Sequence, residues 1–304
     1  MNGLVKHTFL TIAAFLLLIL VLEGCKNPAP VELIDDEIRS PEVELVNEPF
    51  APQLGTEDVD SSGLFPSEPR KTFGHMLLSG SVYDGVFQHR EATLARAVFF
   101  DRTNPVLNSR GDTVAYKTID VGTLSLDGYG LRKHPKRFSA PRSPIDTLLG
   151  VQYSLTSGAG IGISFGGNRR YRWQNPATNL SEPLDISFLT PEQLLVTQPT
   201  PSDVISRSQN LAVQWQGGAN TIRIVISDIA AGSRSKPLVN LRVGRNRGEV
   251  IIPSSILRLL PKNRAGFLFT FSSERSSLLQ VNGYPDNVLV QGMTNHSLYL
   301  QCGP

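Results

Sequence analysis

Leu211-Ala212-Val213-Gln214-Trp215-Gln216-Gly217-Gly218-Ala219-Asn220-Thr221-Ile222-Arg223-Ile224-Val225-Ile226 decides the fold class of this 304-residue chain. Leu211, Val213 and Trp215 alternate with polar or small residues, and Ile222, Ile224 and Ile226 repeat the pattern. A period of two puts the apolar set on one face of a strand, whereas a helix would need a period near 3.6. Gly217-Gly218 between the runs marks a turn, and the two strands read as a hairpin.

The pattern spreads outward in both directions. Val239, Leu241 and Val243 alternate; Phe267, Phe269 and Phe271 put three rings on one strand face; Leu298 and Leu300 continue it near Cys302. Upstream, residues 94–100, 122–126, 151–155 and 184–189 are strand candidates. Ser254 to Leu260, between Pro253 and Pro261, is the one expected helical turn. Cys302 reads as a small apolar residue closing the last strand. Many short strands between Gly, Pro and Asn turns predict an all-β fold of two β-sandwich-like domains, residues 73–198 and 199–304. Prolines at 199 and 201 mark the joint, because proline disfavours continued sheet pairing.

Ahead of the β-rich part, residues 26–72 carry seven prolines and eleven acidic residues against four basic ones, a net of −7. Such a stretch buries too little apolar surface to offset chain entropy and is expected to act as a tether. The remaining residues, 73–304, sum to +9, so the whole-chain value of +2 hides an acidic stalk and a basic head.

The chain opens with Lys6, His7 and an apolar run from Thr8 to Leu22, the shape of a secretory signal and slightly short for a permanent span. Leu22-Glu23-Gly24-Cys25 resembles the lipobox of bacterial lipoproteins, with Glu23 in place of the usual small or apolar residue. That resemblance implies cleavage between Gly24 and Cys25, removal of residues 1–24 and a diacylglycerol on Cys25, which would stand at the start of the tether, 25–72. Lys26 is compatible with outer-membrane sorting under the Gram-negative rule. The expected compartment is therefore the bacterial cell envelope.

Residues from about 201 onward resemble the Ig-like modules at the C-terminal end of surface lipoproteins of unassigned function. The likeness rests on the 211–215 and 222–226 runs and the turn from Ile252-Pro253 to Pro261. Ala97-Val98-Phe99-Phe100-Asp101 and residues 121–128 resemble the N-terminal half of the same lipoproteins. Neither brings an activity with it.

Short catalytic patterns lack their context. Gly162-Ile163-Ser164-Phe165-Gly166 fits the G-x-S-x-G pattern, with Asp185 or Asp228 and then His296 as partners in order. A nucleophile elbow needs a helix after the serine, and Gly167 to Pro176 offers no apolar helical face. Gly158 and Gly160 begin a dinucleotide fingerprint that fails at Ile163. Ser233 to Lys236 matches S-x-x-K, but Gly232 and Pro237 place it in a loop.

Metal-binding patterns are equally weak. His75, His89, His134 and His296 lack metal-ligand spacing, and Asp58 and Asp60 lack the rest of a calcium loop. No catalytic residue, metal or cofactor is expected; a serine hydrolase using Ser164 is the alternative.

Basic clusters carry the remaining signal. Arg132, Lys133, Lys136 and Arg137 form one; Arg169, Arg170 and Arg172, interleaved with Tyr171 and Trp173, form a second; Arg242, Arg245 and Arg247 form a third. Such clusters read first as solvated charge that keeps a β protein soluble and discourages edge pairing; read as a binding surface on an exported protein, they point away from nucleic acid and toward an envelope protein, an acidic glycan or another anionic envelope component. The expectation is a non-catalytic binding protein held on the membrane through Cys25.

Overall fold

A computed structural model describes residues 43–45, 72–107, 111, 113–139, 146–157, 163, 165, 170–175, 182–229, 236–282, 284 and 286–303. Leu22-Glu23-Gly24-Cys25, most of residues 26–72, Arg169, Ser164 and residues 233–235 lie outside them.

The described chain is all-β. In order it forms β1 (Val43–Leu45), β2 (Thr72–Gly85), β3 (Gln88–Leu107), β4 (Thr113–Thr118), β5 (Ser125–Leu126) and β6 (Tyr129–Gly130). Then come β7 (Arg132–Ser139), β8 (Asp146–Ser157), β9 (Arg170–Gln174), β10 (Asp185–Leu189), β11 (Glu192–Gln198) and β12 (Val204–Ile205). The remainder is β13 (Leu211–Gly218), β14 (Ile222–Asp228), β15 (Lys236–Val243), β16 (Glu249–Ile252), a short α1 (Ser254–Leu257), β17 (Gly266–Gln280) and β18 (Asn287–Cys302). The expected turn after Pro253 is present as α1, whose first free amides, Ile256 and Leu257, both bond the Pro253 carbonyl.

One long sheet runs β1-β15-β14-β17-β18-β2-β3-β8-β7, with β12 and β4 attached to β18 and β3. Two small sheets, β10-β9-β5-β6 and β11-β13-β16, hold the other described strands. Strand β18 sits in the middle of the long sheet. It pairs antiparallel with β17 along their full lengths and parallel with β2 from Asn287 to Leu298.

The register of β18 locates the cores. Val288 and Val290 lie in a cluster with Met76, Leu78, Phe99, Tyr153, Tyr171 and Trp173. Leu298 and Leu300 lie in a second cluster with the Phe267, Phe269, Phe271 stripe, Trp215 and Ile222. All four β18 residues have the same parity on an unbulged strand, so both cores occupy one face of the long sheet. The four-stranded sheet covers the first core and the three-stranded sheet the second. Leu194 already belongs to the second core, while Val281, Val288 and Val290 belong to the first.

The hairpin expected between Leu211 and Ile226 is corrected. Strand β13 pairs with β11 and β16, and β14 pairs with β15 and β17. Gly217 (φ 75°) and Gly218 (φ 81°) carry the chain from one sheet to the other. Val213 and Trp215 then meet Ile222 and Ile224 across the core, not side by side within a sheet. A Cβ on Gly217 would stand 2.1 Å from the Gln193 carbonyl oxygen, so the crossing needs glycine for space as well as for conformation.

Between the two cores, residues 190–196 pass directly over β18. A Cβ on Gly292 would lie 2.9 Å from Thr190 Cα. The Thr294 hydroxyl donates to the Glu192 carbonyl at 3.0 Å, and the Val196 N–H donates to Nδ1 of His296 at 2.6 Å.

Candidate functional site

Among the described residues strand β7 lies at one end of the long sheet and pairs only with β8. Alternation splits its cluster: Arg132, His134 and Lys136 point to one face and Lys133 to the other. A register shift between Lys136 and Arg137 interrupts the alternation there. Arg132, Lys133 and Arg137 are exposed, and Pro135 is tolerated because the strand is at the edge. Lys133 is engaged: its Nζ reaches Asp120 at 2.8 Å and sits 6.0 Å over the Tyr153 ring. Burial pushes the Asp120 carboxyl up, but Lys133, the Gly122 N–H and the Tyr153 hydroxyl outweigh it and hold it below its ordinary value.

The second cluster is taken apart by its strand. On β9, Tyr171 and Trp173 are fully buried, whereas Arg170 and Arg172 face solvent. Arg172 makes a two-pronged ion pair with Asp185 of β10, through Nε to Oδ1 at 2.6 Å and through the terminal nitrogen to Oδ2. That contact raises the arginine and lowers the carboxylate from their usual values. The aromatics here build the core and do not form a stacking surface. The third cluster continues from β15 into the following turn, and Arg242, Arg245 and Arg247 are all exposed.

A residue outside all three clusters stands nearer to an anion site. Arg96 of β3 pairs in register with Ser154 of β8, and Ser154 pairs with Arg132 of β7. Residues directly opposite across adjacent strands share a face. The two guanidinium-bearing positions therefore stand two strand spacings apart, about 10 Å, on the face away from both cores. Arg96 is half-buried and, among the described residues, its Nε has no hydrogen-bond partner; burial lowers its pKa. His75 on neighbouring β2 is buried and hydrogen-bonded to Gln291. Desolvation, with Arg96 adding repulsion, pulls its pKa down to about 4 against the pull of Gln291.

At the seam between the cores, the chain forms a histidine–carboxylate row that spacing along the sequence does not reveal. The Nε2–H of His296 donates to Asp84 Oδ2 at 2.8 Å, and His89 Nδ1 contacts Asp84 Oδ1 at 2.5 Å. His89 Nε2 lies 3.2 Å from Glu91. His296 is 1 % exposed, and burial lowers its pKa despite Asp84. His89 is exposed and raised, first by its bond to Asp84 and then by Glu91. Burial pushes Asp84 up, but its bonds to His89 and His296 bring it below its ordinary value.

Both ring nitrogens of His296 are thus in use, one by Val196 and one by Asp84. The other named partners for Ser164 are also engaged: Asp185 with Arg172, and Asp228 with Arg264 at 2.9 Å. Phe165 lies half-buried beside Tyr171 and over Gly80. Among the described residues no group of three or more His, Cys, Asp or Glu is placed to hold a metal ion, and no helix is long and apolar enough to cross a membrane. Cys302 is half-covered at the end of β18, opposite Ile205 and against the second core.

No family model, no curated protein and no solved structure matches this chain.

Proposed function

We propose that the chain is a lipid-anchored protein of the bacterial cell envelope, most economically placed in the outer membrane, and that its head binds rather than catalyses. In this proposal Cys25 carries the lipid, residues 26–72 set the head away from the bilayer, and the C-terminal strands form an Ig-like module. The ligand is an anionic envelope component, a phosphate- or carboxylate-bearing lipid or glycan.

The single observation that carries the ligand class is Arg96. A half-buried guanidinium whose Nε lacks a partner among the described residues presents a donor, and an anion seated beside it would satisfy that donor in a charge-assisted bond. Arg132 stands in line with it across β8. The exposed row on β7 then adds longer-range attraction.

The test uses the full mature chain with Cys25→Ser, titrated with vesicles of phosphatidylglycerol and, separately, of phosphatidylcholine. Binding to the anionic vesicles alone, falling with salt and severalfold weaker in Arg96→Gln with Arg132→Gln, is expected. Equal binding to both vesicle types, or no effect of the two substitutions, overturns the ligand class. Turnover and serine-probe labelling lost in Ser164→Ala would favour the hydrolase instead. Mass measurement of the native N-terminus tests the anchor, since an unmodified chain starting at Met1 rules it out.

A further inference from the structure

Among the described residues β11 forms one edge of the three-stranded sheet, and its pairing with β13 shifts register on both sides of Leu195 and Val196. Val196 stands opposite Trp215, whose N–H donates to the Gly248 carbonyl on the other side of β13. Opposed residues of an antiparallel pair exchange both main-chain bonds or neither, so the Val196 N–H points out of its sheet. Nδ1 of His296 receives it. The same strap, residues 190–196, is also tied to β18 through the Thr294 hydroxyl on the Glu192 carbonyl. It links the sheet over the first core, which ends at Leu189 of β10, to the sheet over the second.

A neutral imidazole has one donor and one acceptor, and both are spent here, Nε2–H on Asp84 and Nδ1 on Val196. An imidazolium has a donor at each nitrogen. The added proton would sit on Nδ1, aimed at an amide whose nitrogen is 2.6 Å away and carries its own hydrogen. Proton and strap therefore exclude each other. We propose that His296 is an acid-released latch: protonation at Nδ1 frees residues 190–196 from β18 and uncouples the two covering sheets.

The groups around the ring set when it lets go. From β2 it meets Asp84, and His89 and Glu91 of β3 continue that row. Strand β17 places Phe271 opposite the ring; its nearest charged residues, Glu274 and Arg275, stand opposite Met293 and Gly292. Strand β13 carries no charged residue, and the one on β11, Glu192, lies at the other end of the strap. His89, raised and exposed, takes its proton first. Burial and then the charge on His89 oppose a second proton at His296, against the pull of Asp84. A freed ring regains the ordinary histidine value of 6.5, so the released form gains population as pH falls below it.

Amide hydrogen exchange, read by NMR in the full chain carrying Cys25→Ser, tests the latch. Each rate is compared with its intrinsic value, which removes the ordinary effect of pH. From about pH 7.5 to about pH 5, protection of the Val196 amide should fall about tenfold or more. That of Phe269, paired on both sides within the long sheet, should hold. The fall should follow the titration of the His296 ring nitrogens. His296→Gln, whose amide can donate to Asp84 and accept from Val196 without titrating, should show no fall. Constant Val196 protection in the native chain, a fall shared by Phe269, or a fall that persists in His296→Gln overturns the latch. The comparison within the native chain decides the matter if His296→Gln does not fold.

Discussion

His296 donates its Nε2–H to Asp84 at 2.8 Å while its Nδ1 accepts the Val196 amide at 2.6 Å, which fixes one tautomer of a buried ring. Three elements meet at that ring: β18 supplies it, β2 supplies the carboxylate, and β11 supplies the amide. The contact ties the passage between the two cores to the sheet beneath it.

Asp84→Asn should expose this dependence. An asparagine offers one acceptor oxygen where His296 and His89 both donate, so one donor is left facing an amide. With His296 buried, the cost should be about 1–3 kcal/mol in urea unfolding. The NMR titration of His89 should move down toward its ordinary value at the same time. An unchanged midpoint together with an unmoved His89 would contradict the hydrogen-bonded row.

Acid should weaken the fold through His75. Its folded pKa of about 4 lies below the ordinary histidine value of 6.5, so the unfolded chain takes up the proton first as pH falls. The stabilising contribution is therefore complete above pH 6.5 and is lost as pH drops through about 4. It amounts to something on the order of 3 kcal/mol. The lowered His296 acts in the same direction. Denaturant midpoints measured between pH 7.5 and 4.5 should fall steeply in the native chain and less steeply in His75→Leu. Equal slopes would remove His75 as a cause.

Tyr153→Phe tests a buried hydroxyl. That oxygen accepts the Val121 N–H at 2.8 Å and donates to Asp120 at 2.8 Å. Its removal orphans a buried amide, and thermal or urea unfolding should register a loss of about 1–3 kcal/mol. Lys133→Ala, which removes only the exposed partner of Asp120, should cost less than about 1 kcal/mol. Burial first, and then Asp120, raises the Tyr153 phenol above its ordinary range. Its ultraviolet phenolate signal should consequently appear at higher pH than that of a free tyrosine phenol.

The two tryptophans report one core each, Trp173 the first and Trp215 the second. Fluorescence of Trp173→Phe and of Trp215→Phe should give coincident unfolding curves, because β17 and β18 contribute to both cores. Gly292→Val places a branched side chain against Thr190 and Pro191 where a Cβ already stands 2.9 Å from backbone. Overpacking there should cost about 1–3 kcal/mol. Introduced beneath each reporter, the substitution should separate the two curves; curves that stay coincident would show that the seam does not couple the cores.

Alternation made the strands of the second core legible, and the Phe267, Phe269, Phe271 stripe is buried as its spacing required. It did not identify their partners. A period of two says which face a residue takes and nothing about its neighbour, which is why the Leu211 and Ile222 runs read as a hairpin and fold into different sheets. Strand β2 escaped notice because Thr72 to Gly80 is buried on both faces and so does not alternate.

The charge clusters were visible as runs, but a strand deals successive residues to opposite faces. The apparent mixture of arginines with Tyr171 and Trp173 thus becomes a core face and a solvent face. Arg96 is a single cation in an apolar run, with no cluster to mark it. Asp84 and His296 are 212 positions apart and meet only through the parallel pairing of β2 with β18.

The central place of β18 also sets a clock. Of the described strands it is the last to leave the ribosome, yet both cores require it: Val288 and Val290 for one, Leu298 and Leu300 for the other. A nascent chain that stops short of residue 287 has its earlier strands made and no middle for the sheet. Among the described residues neither core is complete before β18 is made, so the closure of both waits on residues 287–302.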